Sequence, residues 1–138
     1  MARSEIRGGQ IKDDSITGDD VSEISLRYPV TVIYSGNDPG TTYTVSDSDR
    51  IILINTRTSG QNGIDSAIDV TMPSSSGNAG RIVVIKDAGG YCETNAIRVL
   101  APNSNNFEGN PGLTSLSLDV NGSSRRFVAD GSSSWYEI

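Results

Sequence analysis

Histidine is absent from the 138 residues. That removes the commonest general base and the usual partner of a nucleophilic serine. Cysteine occurs once, at Cys92, so no intrachain disulfide framework is available. With no histidine to activate it, Cys92 reads as a small, half-buried strand or loop residue. Aromatic residues make up 6% of the chain and hydrophobic residues 35%, thin for a self-sufficient core at this size. A partner subunit is the expected source of further burial. No apolar run approaches the roughly 20 residues that span a bilayer, and Met1 to Glu5 lead into no hydrophobic stretch of a secretory signal. The chain is therefore expected to be made in a cytoplasm and to have no membrane partner. Basic residues number 11 against 17 acidic, a formal net charge of -6, which argues against binding nucleic acid by counterion release. No stretch of helical length carries the three- and four-residue apolar spacing of an amphipathic helix.

What is present divides in two. Residues 1–27 are polar and lack aromatics. Within them, apolar residues recur at Ile6, Ile11, Ile16, Val21 and Leu26, spaced by five. A strand would want a spacing of two. A period of five suggests short extended pieces joined by turns, each laying one side chain on another surface. Such a segment cannot bury itself and is expected to be an extended docking arm, with Ile6, Ile11, Ile16 and Val21 as its pegs.

From residue 28 onward the pattern is that of strands. Val30–Tyr34, Thr42–Val45, Arg50–Asn55, Ile64–Met72, Arg81–Lys86, Ala96–Leu100, Leu113–Val120, Arg125–Ala129 and Trp135–Ile138 are separated by Gly, Asn, Asp, Ser and Pro. Two of them, Ile51–Ile54 and Ile82–Ile85, are continuous apolar runs, so both of their faces should be covered. Asn62-Gly63, Asn121-Gly122 and Asp130-Gly131 offer the positive φ that hairpin turns need. The expectation for residues 28–138 is an all-β domain, a β-sandwich or jelly-roll-like fold.

Constellations that carry chemistry have simpler accounts here. The carboxylate pairs Asp47 with Asp49, Asp65 with Asp69, Asp13 with Asp14 and Asp19 with Asp20 suit turns as readily as the paired acids of a glycosidase. Asp47-Ser48-Asp49 clusters hard oxygen donors of the kind calcium takes, but lacks the glycine and distal glutamate of an EF-hand. A loop tied by its own side chains explains it. Gly77-Asn78-Ala79-Gly80 precedes a strand and has no Gly-Lys-Ser or Gly-Lys-Thr, so it is no phosphate cradle. The reading is of a non-enzymatic protein with no metal and no cofactor. Trp135 and Tyr136 are neighbours in a strand and must face opposite ways. One should close the core and the other meet solvent, a subunit or a ligand. With Arg125 and Arg126, brought near by pairing across Asp130-Gly131, they form the candidate patch for surface recognition or a subunit interface. Exposed Tyr43, Tyr91, Trp135 or Tyr136 could also stack on a glycan.

Two stretches resemble proteins of tailed bacteriophages. Gln10-Ile11-Lys12-Asp13-Asp14-Ser15-Ile16-Thr17-Gly18-Asp19-Asp20-Val21 is similar to the short anchoring repeats that begin many phage fibre and head-fibre proteins. Tyr43 to Ile138 is similar to a β-module of phage tail-fibre and decoration proteins. Its marks are Tyr43-Thr44-Val45-Ser46-Asp47 before Ile51–Asn55, Val70-Thr71-Met72-Pro73, Gly80–Gly90, Asn95-x-Ile97, and Asp130-Gly131 before Trp135-Tyr136-Glu137-Ile138. The resemblance implies a homotrimer, a place in the virion after assembly in the host cytoplasm, and no catalysis. The expected role is a head fibre or head decoration protein, held to capsid or tail proteins by residues 1–27. The alternative is a tail-fibre or tail-tip adhesin that binds a host surface glycan.

Overall fold

The computed structural model describes residues 28–37 and 39–138. The docking arm with Ile6, Ile11, Ile16 and Val21 lies outside the described residues. Among the described residues ten short strands form two sheets, and the helical pieces are single 3-10 turns at Ser35–Asn37 and Ser59–Gln61. The all-β expectation holds. The strands are β1 Val30–Ile33, β2 Thr42–Thr44, β3 Ile51–Ile54, β4 Ile68–Thr71, β5 Ile82–Asp87, β6 Ile97–Leu100, β7 Asn106–Phe107, β8 Ser115–Leu118, β9 Ser124–Ala129 and β10 Ser134–Glu137. The larger sheet, A, has the order β1-β3-β5-β9-β10-β7, and the smaller, B, the order β2-β4-β6-β8.

Every connection but the last crosses from one sheet to the other. The chain lays β1 in A, β2 in B, β3 beside β1, β4 beside β2, and so on. Neighbouring strands in the winding half are therefore parallel: β1 with β3, β3 with β5, β2 with β4, and β4 with β6. Parallel neighbours need a crossover between them, and here a strand of the other sheet supplies it. The last strands turn back, with β8 antiparallel to β6, β9 to β5 and β10 to β9.

This winding corrects part of the hairpin expectation. Asp130-Gly131 does join an antiparallel pair, β9 and β10, and Gly131 has φ +83. A Cβ there would stand 2.6 Å from the Cβ of Ala79, so the turn also needs glycine for close approach. Asn62-Gly63 and Asn121-Gly122 lie instead on crossings between sheets. In the first of these the residue with positive φ is Asn62, at 62°. Asn tolerates that region through its short polar side chain.

One hydrophobic core takes side chains from both sheets. Ile33, Ile52, Ile54, Val83, Ile85, Phe127 and Trp135 come from A, and Ile68, Val70, Ile97, Val99 and Leu118 from B. Each fully buried side chain of this size contributes about 1.5–3 kcal/mol. Phe107, on a two-residue strand that the sequence pattern did not reveal, is fully buried and meets Phe127 with ring centroids 5.4 Å apart. Trp135 is fully buried and its Nε1 donates to the Pro73 carbonyl at 2.9 Å. Cys92 is 2% exposed, more deeply placed than the half-buried expectation, and its thiol donates to the Val120 carbonyl. Burial first, and then the carboxylate of Asp87, push that thiol up to about 11, which leaves it unreactive at neutral pH.

Candidate interaction surface

Two buried carboxylates hold the loops that join the sheets. Asp49, just before β3, accepts hydrogen bonds from Thr31 Oγ1 on β1, from Tyr43 Oη on β2 at 2.8 Å, and from the amide and hydroxyl of Ser46 at 2.7 and 2.9 Å. Thr31 belongs to sheet A and Tyr43 to sheet B, so this one side chain clasps the two sheets together. Burial alone would raise its pKa, but these donors outweigh it and hold the carboxyl below its ordinary range. Tyr43 is pushed up to about 12 by burial and by the adjacent Asp49. The guanidinium of the buried Arg81 donates to the carbonyls of Ser46 and Asp49.

Asp87, the last residue of β5, is the second hub. Its carboxylate accepts from the amides of Gly90, Tyr91 and Cys92 in the following turn and from Gly122, at 2.8–3.1 Å. Those amides hold it low against the opposing effect of burial. The sequence marks Asp87-Ala88-Gly89-Gly90 as a turn but not as a hub. An Asp at a strand end ahead of a glycine pair is the signal that could have found it.

The Asp47-Ser48-Asp49 oxygens are arranged as a loop anchor. The Asp47 side chain is fully exposed while the Asp49 carboxylate is engaged by four protein donors. Among the described residues no group of three or more acidic, Cys or His side chains could hold a metal ion. Asp69, weighed as half of a carboxylate pair with Asp65, instead accepts from Nε and Nη2 of Arg98 at 2.7 and 2.8 Å.

The candidate patch of Arg125, Arg126, Trp135 and Tyr136 is divided by the sheet it lies on. Trp135 faces inward and Tyr136 outward, 37% exposed. Arg125 shares the inner side with Phe127 and is bound to Glu137 at 2.6 Å and to the Ser117 carbonyl. Arg126 is exposed on the outer side. The four therefore do not form one surface. Of the four aromatics considered for glycan stacking, Trp135 is buried, Tyr43 and Tyr91 are half-buried, and Tyr136 is the most exposed.

A broader surface takes the patch's place. In sheet A most of the residues between the inward ones are also apolar. Val30, Ile51 and Val84 are register partners across β1, β3 and β5, followed by Arg126 on β9. Val32 and Leu53 form the next row with Lys86, and Ile82, Val128 and Tyr136 another across β5, β9 and β10. Val30 is 53% and Val32 43% exposed, and Tyr28, Tyr34 and Ile138 beside these strands are exposed too. Tyr28, Arg50, Ile51, Ile82, Val84 and Arg126 line a shallow groove in this face. The apolar runs expected to be covered on both sides are thus covered on one side by the described chain and open on the other.

Comparison with protein-family models and with curated proteins finds no match for this chain. Among the described residues no helix is long and apolar enough to cross a membrane.

Proposed function

We propose that this chain is a non-enzymatic structural protein of a bacteriophage particle, a head fibre or head decoration protein. Residues 1–27 anchor it to capsid or tail proteins. Residues 28–138 form a sandwich-like β-domain that projects from the particle as a homotrimer. The observation that carries this reading is the junction at Tyr28. There a polar segment with apolar pegs every five residues, similar to phage anchoring repeats, runs directly into the edge strand of a two-sheet β-domain. The stretches that resemble the phage β-module have structural work in this domain. Tyr43 and Ser46 serve the Asp49 clasp, Asp87 to Gly90 hold the second hub, and Asp130-Gly131 turns the closing hairpin. Those motifs maintain a scaffold, which suits a particle component better than an enzyme.

The test is deletion of residues 1–27. The remaining domain is expected to fold, with Trp135 still buried, and to be missing from particles assembled in its presence. Normal incorporation of the truncated protein would defeat the anchoring role. Specific binding of the purified domain to host cells, lost on Tyr136→Ala at unchanged melting temperature, would favour the glycan-binding adhesin instead.

A further inference from the structure

We infer that the outer face of sheet A is the surface through which copies of this chain join. The inference rests on the self-association proposed above but not on a place in a virion. A sheet side that faces water reads polar, and one that faces another layer reads apolar. Sheet B obeys this rule within one chain. Sheet A carries Val30, Val32, Ile51, Leu53, Ile82, Val84, and with them Val128 and Tyr136, on the side where the described chain places no further layer. These residues span five adjacent strands, a band on the order of 20 Å across. With Tyr28, Tyr34 and Ile138 at its margins, the exposed apolar area is on the order of 500 Å² or more. That is at the upper end of the largest patch on a typical monomer. It is also about the apolar share of the roughly 800 Å² that each partner gives to an interface of standard size, a little over half of which is apolar.

Composition and charge point to a second copy as the occupant. Three of the five tyrosines, Tyr28, Tyr34 and Tyr136, sit at this face, and its exposed charge near the centre is Arg126. Tyr and Arg are the residues enriched in protein interfaces, whereas Asp and Glu are depleted. In an acidic chain, the strand positions of this face hold no acid. The other two bases beside the band are engaged by their own main chain. Arg50 donates to the carbonyls of Asp47 and Asp49, and Lys86 to that of Gly122. The face therefore does not demand an acidic partner. Apolar burial is non-directional, so one part of this five-strand band can pack on a different part of a neighbouring copy's band, as the head-to-tail contacts of a closed three-fold ring require.

The experiment measures mass in solution over a wide concentration range for the full chain, for Val30→Glu/Val32→Glu, and for Thr44→Glu/Ser115→Glu on the outer side of sheet B. The wild type and the sheet B variant are expected to be multimers of the 14.6 kDa chain. The sheet A variant is expected to associate at least about 100-fold more weakly, because each junction would bury unpaired carboxylates. Near-ultraviolet dichroism of buried Trp135 reports whether each variant is folded. If the sheet A variant fails to fold, hydrogen exchange of the wild type decides. Amides of β1 should become more protected as concentration rises, while those of β2 do not. A wild type that is monomeric throughout overturns self-association itself. A multimer that survives the sheet A substitutions, or that protects β2 rather than β1, overturns this face while leaving self-association standing.

Discussion

The two sheets share a core but present opposite outer faces. Along sheet B, Thr42, Asp69, Arg98 and Ser117 are register partners in one row, and Thr44, Thr71, Leu100 and Ser115 in the next. Leu100 is the one apolar residue among them. Along sheet A the equivalent rows are Val30, Ile51, Val84, Arg126 and Val32, Leu53, Lys86, Ser124. Both sheets contribute inward residues to the same core, so the difference does not lie there. It lies in what each outer face must meet. The polar face is finished when the chain folds, with Arg98 and Asp69 paired across β4 and β6. The apolar face meets no further layer among the described residues.

The largest effect should come from crossing sheet A at a single step of the chain. Trp135→Ala removes a fully buried indole and its hydrogen bond to Pro73, and should cost about 3–5 kcal/mol. Tyr136→Ala, one residue on but outward, should cost less than about 1 kcal/mol in the isolated subunit. Chemical denaturation monitored by dichroism compares the two. Equal losses would mean that the outer face is already packed within one chain.

Next in size is the hub at β5. Asp87→Ala strips four main-chain amides of their acceptor, and should destabilise by about 3 kcal/mol. Because Asp87 ties loops at the ends of both sheets, its loss should melt them together, in one cooperative transition. A two-step transition would show that the sheets are separately stable and weaken the view of one core with two differing coats.

A smaller effect is set by pH. Asp49 and Asp87 titrate lower in the folded chain than in the unfolded one. Their contribution is complete above about pH 4, the unfolded value, and is lost as pH falls through their folded values. Tyr43 runs the other way. Its pKa is raised from 10.0 to about 12, so its contribution is complete below about pH 10 and is lost as pH rises from there towards 12. Melting temperature against pH should fall on both sides, and Asp49→Asn should reduce the acid slope. An unchanged acid slope would mean that Asp49 does not clasp the sheets.

The smallest effect belongs to the polar face itself. Arg98→Ala breaks an exposed two-point ion pair and should cost about 0.2–1 kcal/mol, less in high salt. It should leave subunit mass unchanged, in contrast to charges placed on β1.

Much of this was legible in the residues. The β class follows from β-branched runs cut by Gly, Asn and Asp, and the nine expected strands all have a counterpart. The opposed directions of Trp135 and Tyr136 follow from strand geometry. The clasp at Asp49 was half visible, since Ser46 to Asp49 suited a side-chain-tied loop, but the reach to Thr31 and Tyr43 was not. Phe107 was missed because a two-residue strand has no period to detect. The patch of Arg125, Arg126, Trp135 and Tyr136 was drawn from nearness in the hairpin, and the pleat splits it. Periodicity gives each residue's side relative to its neighbours, but not which side another layer covers.

By itself, then, the chain determined roughly where nine of the ten described strands lie, which residues alternate, and that residues 1–27 differ in kind from the rest. These are local properties, written in spacing and turn chemistry. Tertiary structure alone decided that consecutive strands fall in different sheets, so that Asn62-Gly63 and Asn121-Gly122 turn between layers and the neighbours in each winding half run parallel. It also decided that, among the described residues, no layer covers the side of Ile51–Ile54 and Ile82–Ile85 away from the core. The physical reason is that strand pairing joins residues far apart in sequence. A continuous apolar run looks the same whether its second face is met by its own chain or by another.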